Sequence, residues 1–188
     1  EPATRHGQRA GRADVSAVAA WLGRLGATAD RPVMVLSENS PVHAAWMFGG
    51  IAAGVPVCSV SVNYSTLGVT DGEGGFQRLR HVVDLIRPGV IFAEQGAPFA
   101  AAIRAVAPAD AVVVSGAPDE IGPAAVDLAE VLARPDVDGV GRRVAGLDPT
   151  APARYLLTSG STGRPKAVIH TQAMMTGNTV SGAQAMGD

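Results

Sequence analysis

Four short apolar runs, at residues 32–37, 55–60, 89–93 and 111–114, alternate with stretches whose apolar positions recur at helical spacing. That alternation restricts the chain more than any other feature. An apolar run of four to six residues fits a strand buried on both faces, and such strands belong to parallel sheets whose crossover connections are helices. The helical stretches are one-sided: Val15, Val18, Ala19, Leu22 and Leu25 form one apolar stripe, and Phe76, Leu79, Val82, Val83 and Ile86 form another. Helix is also expected over 42–53, 99–106 and 124–132, and a polar connector over 135–152. The expected fold class is α/β, a mostly parallel sheet with flanking helices on both faces.

Local signals refine this outline. Asp14 is placed to cap the first helix, which should end near Gly26, and Ser40 followed by Pro41 marks the start of the second. Residues 42–62 carry no Asp, Glu, Lys or Arg over a membrane-spanning length. Gly49, Gly50, Gly54 and Pro56 interrupt them, so a buried helix feeding a buried strand fits better than a span. Trp21 and Trp46 fall among apolar neighbours and read as core, and the glycine-rich loop at 66–75 reads as exposed. Cys58, the single cysteine, lies in a strand-like run, which excludes an internal disulfide and points to a small buried residue. A net charge of −2 gives no basic face for nucleic acid, and no Lys/Arg run marks a lipid headgroup site. Without a secretory leader, a cytoplasmic location is expected.

One stretch, residues 155–171, has no explanation in packing. Thr158, Ser159, Ser161 and Thr162 supply four hydroxyls, and Gly160 and Gly163 free the backbone to turn its N–H groups toward one point. Such a concavity suits phosphate oxygens. Lys166 closes the loop and is the only lysine in a chain whose other fixed cations are arginines, which points to a compact charge on a flexible stem. The loop is not a Walker A motif: Gly160 and Gly163 are too close together, and Pro165 precedes the lysine. Apolar runs at 155–157 and 167–169 flank it, so the reading is strand, loop, strand: a hairpin-like phosphate clamp. The competing reading is a Gly/Ser-rich surface turn that binds nothing.

The run from Thr158 through Ser159, Gly160, Ser161, Thr162, Gly163, Arg164 and Pro165 to Lys166 resembles the signature loop of the adenylate-forming superfamily, which includes acyl- and aryl-CoA ligases. The likeness extends upstream through 32–40, 43–46 and 50–57, and residues 63–65 and 79–93 are similar to feruloyl-CoA synthetase and related aryl-acid ligases. The resemblance implies that Thr158, Ser159, Gly160, Ser161, Thr162 and Gly163 wrap the β- and γ-phosphates of ATP while Lys166 steadies the loop. It implies a two-step reaction: ATP and a small carboxylic acid, expected to be aromatic, give an acyl-adenylate and pyrophosphate, and the acyl group passes to coenzyme A. It further implies that residues 1–188 are the amino-terminal part of the large domain. The catalytic residues, the carboxylate for Mg2+, the adenine contacts and the mobile carboxy-terminal domain are then expected beyond residue 188, and this piece alone is expected to be inactive.

Other residues carry weaker chemistry. His6, His43, His81 and His170 show no metal spacing and read as structural or surface groups. Ser161 does not satisfy the Gly-x-Ser-x-Gly elbow, because Gly160 is its immediate neighbour. Arg164 reads as a solvated side chain. Two further function classes remain beside the ligase: a non-catalytic module that holds a phosphate ligand or a protein, and a nucleotidase. Self-association through an uncovered apolar surface is expected of the truncated sheet.

Overall fold

The computed structural model describes residues 11–70, 75–159 and 164–176. Helix α1 (Arg12–Leu25) leads into β1 (Val33–Val35), α2 (Pro41–Ala53), β2 (Val57–Ser59) and a short α3 (Asn63–Thr66). Then come α4 (Gln77–Ile86), β3 (Val90–Ala93), α5 (Ala97–Val106), β4 (Val112–Ser115), α6 (Pro118–Ile121), β5 (Val126–Asp127), α7 (Leu128–Leu132) and α8 (Val137–Ala145). Two long strands, β6 (Pro152–Ser159) and β7 (Pro165–Thr171), close the series. The seven strands form one sheet in the order β5-β4-β3-β1-β2-β6-β7. Every pairing is parallel except the last, in which β7 runs antiparallel to β6.

The continuous apolar runs are explained by burial on both faces. Met34 and Cys58 point into one core with Leu79, Val82, Phe99 and Ile103 from α4 and α5. Val33, Val35, Val57 and Phe92 point into the other, with Val18 and Leu22 from α1, Trp46 from α2 and Val131 from α7. Trp46, fully buried, stacks on Phe92 at 4.7 Å and meets Trp21 edge-on at 5.9 Å, so both tryptophans are core, as expected. Cys58 is core as well. Helix α2 presses on α1 through Gly49, where a Cβ would come within 2.7 Å of Val18. Close approach of the two helices requires glycine there, a role beyond interrupting an apolar run.

The structure revises several sequence-based boundaries. The first residue before α1 is Gly11, not Asp14; Asp14 sits in the first turn and its carboxylate accepts the Gly11 N–H at 3.1 Å. An acid three residues into a helix and an acid at its cap are alike in sequence. The helix expected at 124–132 is shortened to α7, because Val126 and Asp127 pair with Val114 and Ser115 as β5, and Asp127 caps α7 through the Ala129 N–H. The connector at 135–152 contains α8, capped by Asp136 through the Gly139 N–H. Ser40 caps α2 as expected, accepting from the His43 N–H at 3.0 Å. Leu67 and Val69 are exposed, as expected for their loop, whose residues 71–74 lie outside the described residues. Thr171 caps a final helical turn that begins at Gln172; residues beyond 176 lie outside the described residues. No helix among the described residues is long and apolar enough to cross a membrane.

Candidate functional site

The strand–loop–strand reading of residues 155–171 is realised as the β6–β7 hairpin. Pairing runs from Pro152 with Thr171 up to Ser159 with Pro165, so residues 160–164 are the whole connection. Both arms are longer than the sequence suggested. Lys166 stands directly opposite Thr158 at the mouth of that connection, and both are exposed. The Thr158 hydroxyl donates across the hairpin to the Lys166 carbonyl at 3.5 Å. Gly160, Ser161, Thr162 and Gly163 lie outside the described residues. The structure therefore brings Thr158, Ser159 and Lys166 to one end of the hairpin, with Arg164 exposed beside them.

Two contacts fix the hairpin to the body of the sheet. At the loop end, His81 on α4 donates from Nε2 to the Pro165 carbonyl at 2.9 Å; a proline carbonyl only accepts, so the imidazole carries its proton there. At the other end, Gln172 donates its side-chain amide to the Ile51 carbonyl at 3.2 Å, and its own N–H bonds Ala151. Asp148, which precedes the hairpin, accepts from the Thr150 N–H and hydroxyl at 2.8 Å each. These bonds, the backbone one first, hold its carboxyl below the usual range. His170 pairs across the strand with Arg154.

A second feature was not legible in the sequence. The crossing from β2 over β1 to β3 reverses the direction of strand addition, and a crevice outside the carboxyl ends of strands at such a reversal is where open α/β sheets take ligands. A cleft of about 620 Å³ lies beside that reversal, over the carboxyl ends of β1 and β2, lined by Ser37, Ser40, His43, Ser59 and Arg154 among others. His43, expected to be merely structural, is held between two strand ends: Nε2 is 3.0 Å from Ser59 Oγ, and Nδ1 is 3.1 Å from Ser37 Oγ. The residues come from β1, α2, β2 and β6, and no spacing in the chain joins them. Beneath the cleft, burial pushes the Cys58 thiol up to about 12, against a weaker downward pull from Arg154, so Cys58 stays protonated and is no nucleophile.

A family model described as AMP-binding enzyme matches residues 9–187. No curated protein matches the sequence closely. Solved structures do match the fold. The N-terminal domain of FACL13 from Mycobacterium tuberculosis, in an inhibitor-bound crystal structure, is 21% identical with a TM-score of 0.62, over 85% of this chain and 36% of that one. ATP-bound MatB from Rhodopseudomonas palustris is 19% identical with a TM-score of 0.66, over 90% of this chain and 30% of that one. A benzoate CoA ligase from Burkholderia xenovorans LB400 is 15% identical with a TM-score of 0.64, over 86% of this chain and 28% of that one. At these identities the likeness is one of fold, and the chain spans about a third of the length of the structures it matches.

Proposed function

The chain belongs to the AMP-binding enzyme family, and from that premise we propose that the β6–β7 hairpin is the ATP phosphate-binding element of a carboxylate:CoA ligase. One observation supports this most: a five-residue connection, residues 160–164, joins two antiparallel strands whose last pairs set Lys166 against Thr158 at its mouth. A hydroxyl- and glycine-rich sequence at such a bend suits the tail of a nucleotide. Thr158, Ser159, Gly160, Ser161, Thr162 and Gly163 surround the β- and γ-phosphates, and Lys166 adds a compact positive charge beside them.

The chemistry of this element is electrostatic. When a carboxylate attacks the α-phosphorus of ATP, negative charge accumulates on the departing pyrophosphate, and donors fixed at that point lower the barrier. His81 and Gln172 hold the two ends of the hairpin arms to the body of the sheet. Among the described residues no group of three or more His, Cys, Asp or Glu is arranged to hold a metal. The carboxylate that would hold the Mg2+ accompanying the triphosphate is read, from the family resemblance, as lying beyond residue 188. An aromatic acid as substrate is supported by the sequence likeness to feruloyl-CoA synthetase over 79–93. Residues 1–188 act as the amino-terminal part of the large domain, and the piece is inactive by itself.

Titration of ATP and of tripolyphosphate by calorimetry tests the reading. Charge-assisted bonds of about 1.5–3 kcal/mol each work against an association cost of about 4–15 kcal/mol, so millimolar binding is expected. Lys166→Met should weaken it about tenfold or more and flatten its salt dependence. Equal affinity for wild type and Lys166→Met contradicts the phosphate role, and micromolar ATP binding contradicts the partial-site reading.

A further inference from the structure

We propose that the cleft at the carboxyl ends of β1 and β2 binds the carboxylate of a small organic acid through the Arg154 guanidinium. The site is independent of the nucleotide reading of the hairpin, because none of its lining residues lies between 158 and 166.

The starting point is an uncompensated charge. Arg154 sits on β6 beside Val57 of β2, half-buried, and its Nε has essentially no solvent access and no hydrogen-bond partner. No carboxylate forms an ion pair with it among the described residues. Buried polar groups in folded proteins are nearly always bonded, and a guanidinium partly removed from water without a counter-charge is costly. The cleft that Arg154 lines is of the size at which small molecules are held, roughly 300–1,000 Å³, and it opens at the carboxyl ends of β1 and β2.

The other polar groups of the cleft narrow the ligand. The Ser37 hydroxyl donates to the Glu38 carbonyl, and the Ser40 hydroxyl donates to the Glu94 carboxylate. Since His43 Nδ1 also faces the Glu38 carbonyl at 3.3 Å, the neutral ring keeps its proton on Nδ1 and Nε2 accepts from the Ser59 hydroxyl. Three of the four serine protons in the lining are thus engaged within the protein. The open donors are those of Arg154, with the Ser61 hydroxyl and the Asn39 amide also in the lining.

The planar guanidinium matches two coplanar acceptor oxygens, which is the geometry of a carboxylate. A phosphate dianion needs more donors and more positive charge. Glu38 lines the same cleft, and Glu94 is bonded to Ser40 at its margin; both repel a dianion more than a monoanion. The apolar part of the acid has Ala44, Met47, Val60 and Val62 to lie against.

The test is a 19F NMR titration of 4-fluorobenzoate into the protein, with inorganic phosphate as competitor. Saturable broadening is expected with wild type, and none with Arg154→Met. Arg154→Lys keeps the charge without the fork and should weaken binding about tenfold. Phosphate should displace the probe poorly. Arg154→Met removes an unpaired charge, so its melting temperature should equal or exceed that of wild type, which separates loss of the site from loss of the fold. If Arg154→Met lowers the melting temperature, Arg154→Gln provides the uncharged comparison. Wild-type binding by either neutral variant, absence of saturable binding at tens of millimolar, or tighter binding of phosphate than of the fluorobenzoate would each overturn the assignment.

Discussion

Removing the imidazole of His81 should free the loop end of the hairpin while leaving the rest of the sheet closed. His81 Nε2 lies 2.9 Å from the Pro165 carbonyl, and Pro165 is buried against the body of the protein. A hydrogen bond of this kind contributes about 0.5–1.5 kcal/mol net. If the bond is made only when the tip is closed, its loss multiplies the opening equilibrium by about 2 to 12, at 1.4 kcal/mol per factor of ten. The direct assay is amide hydrogen exchange over residues 164–171 in His81→Leu, read against α1 as an internal standard. Exchange at the tip should quicken by that factor while α1 is unchanged, and the melting temperature should fall by about 1–6 °C for a chain of this size. His81→Gln returns an amide donor at comparable reach and should restore most of the protection. Tip exchange in His81→Leu at the wild-type rate would refute the idea that this bond fixes the hairpin. So would faster exchange spread evenly through the sheet, since a general loss of stability says nothing about the tip.

Two further perturbations address the core that carries the sites. Trp46→Ala removes a fully buried ring that touches both Trp21 and Phe92; it should cost about 3–5 kcal/mol, measured by denaturant unfolding with an unchanged m-value. Cys58 makes stability fall in alkali. Its thiol titrates near 8.5 when unfolded and is pushed up to about 12 by burial in the fold. The raised value means that its contribution is whole below the unfolded pKa and is lost as pH climbs toward the folded one. About 1.4 kcal/mol per pH unit should therefore disappear across that window, near 2 kcal/mol by pH 10. Cys58→Ala should flatten this slope in unfolding experiments at pH 8 and pH 10, whatever its effect at neutrality, and an undiminished slope would remove the thiol as its cause.

The sheet was readable from residues because parallel strands covered on both faces leave no room for polar interruptions. Residues 32–37 and 89–93 declare themselves for that reason. The elements that escaped are those held by contacts rather than by pattern. Helix α8 contains Gly139 and Gly141, and no residue in it is buried; it stays in place by packing on α1 and α2, with the Arg143 side chain over Gly23. Strand β5 is two residues long and exists only because β4 offers it an edge. Local preference cannot announce either one.

The candidate sites divide along the same line. The β6–β7 hairpin was legible because one continuous segment supplies its hydroxyls, glycines and lysine, so local chemistry and local structure coincide. The cleft was not, because Ser37, His43, Ser59 and Arg154 meet only after β2 and β6 have paired on the same side of β1. Strand β6 joins the two. Arg154 lies on it four residues before Thr158, a distance of about 13 Å along an extended strand, so a shift in β6 moves cleft and loop together. Occupying one site can then affect the other through that strand, or through the bonds of Gln172 to α2 and of His81 to the hairpin. If 4-fluorobenzoate changes tip exchange in wild type but not in Arg154→Met, the effect originates at the Arg154 site; an identical response in both assigns it elsewhere.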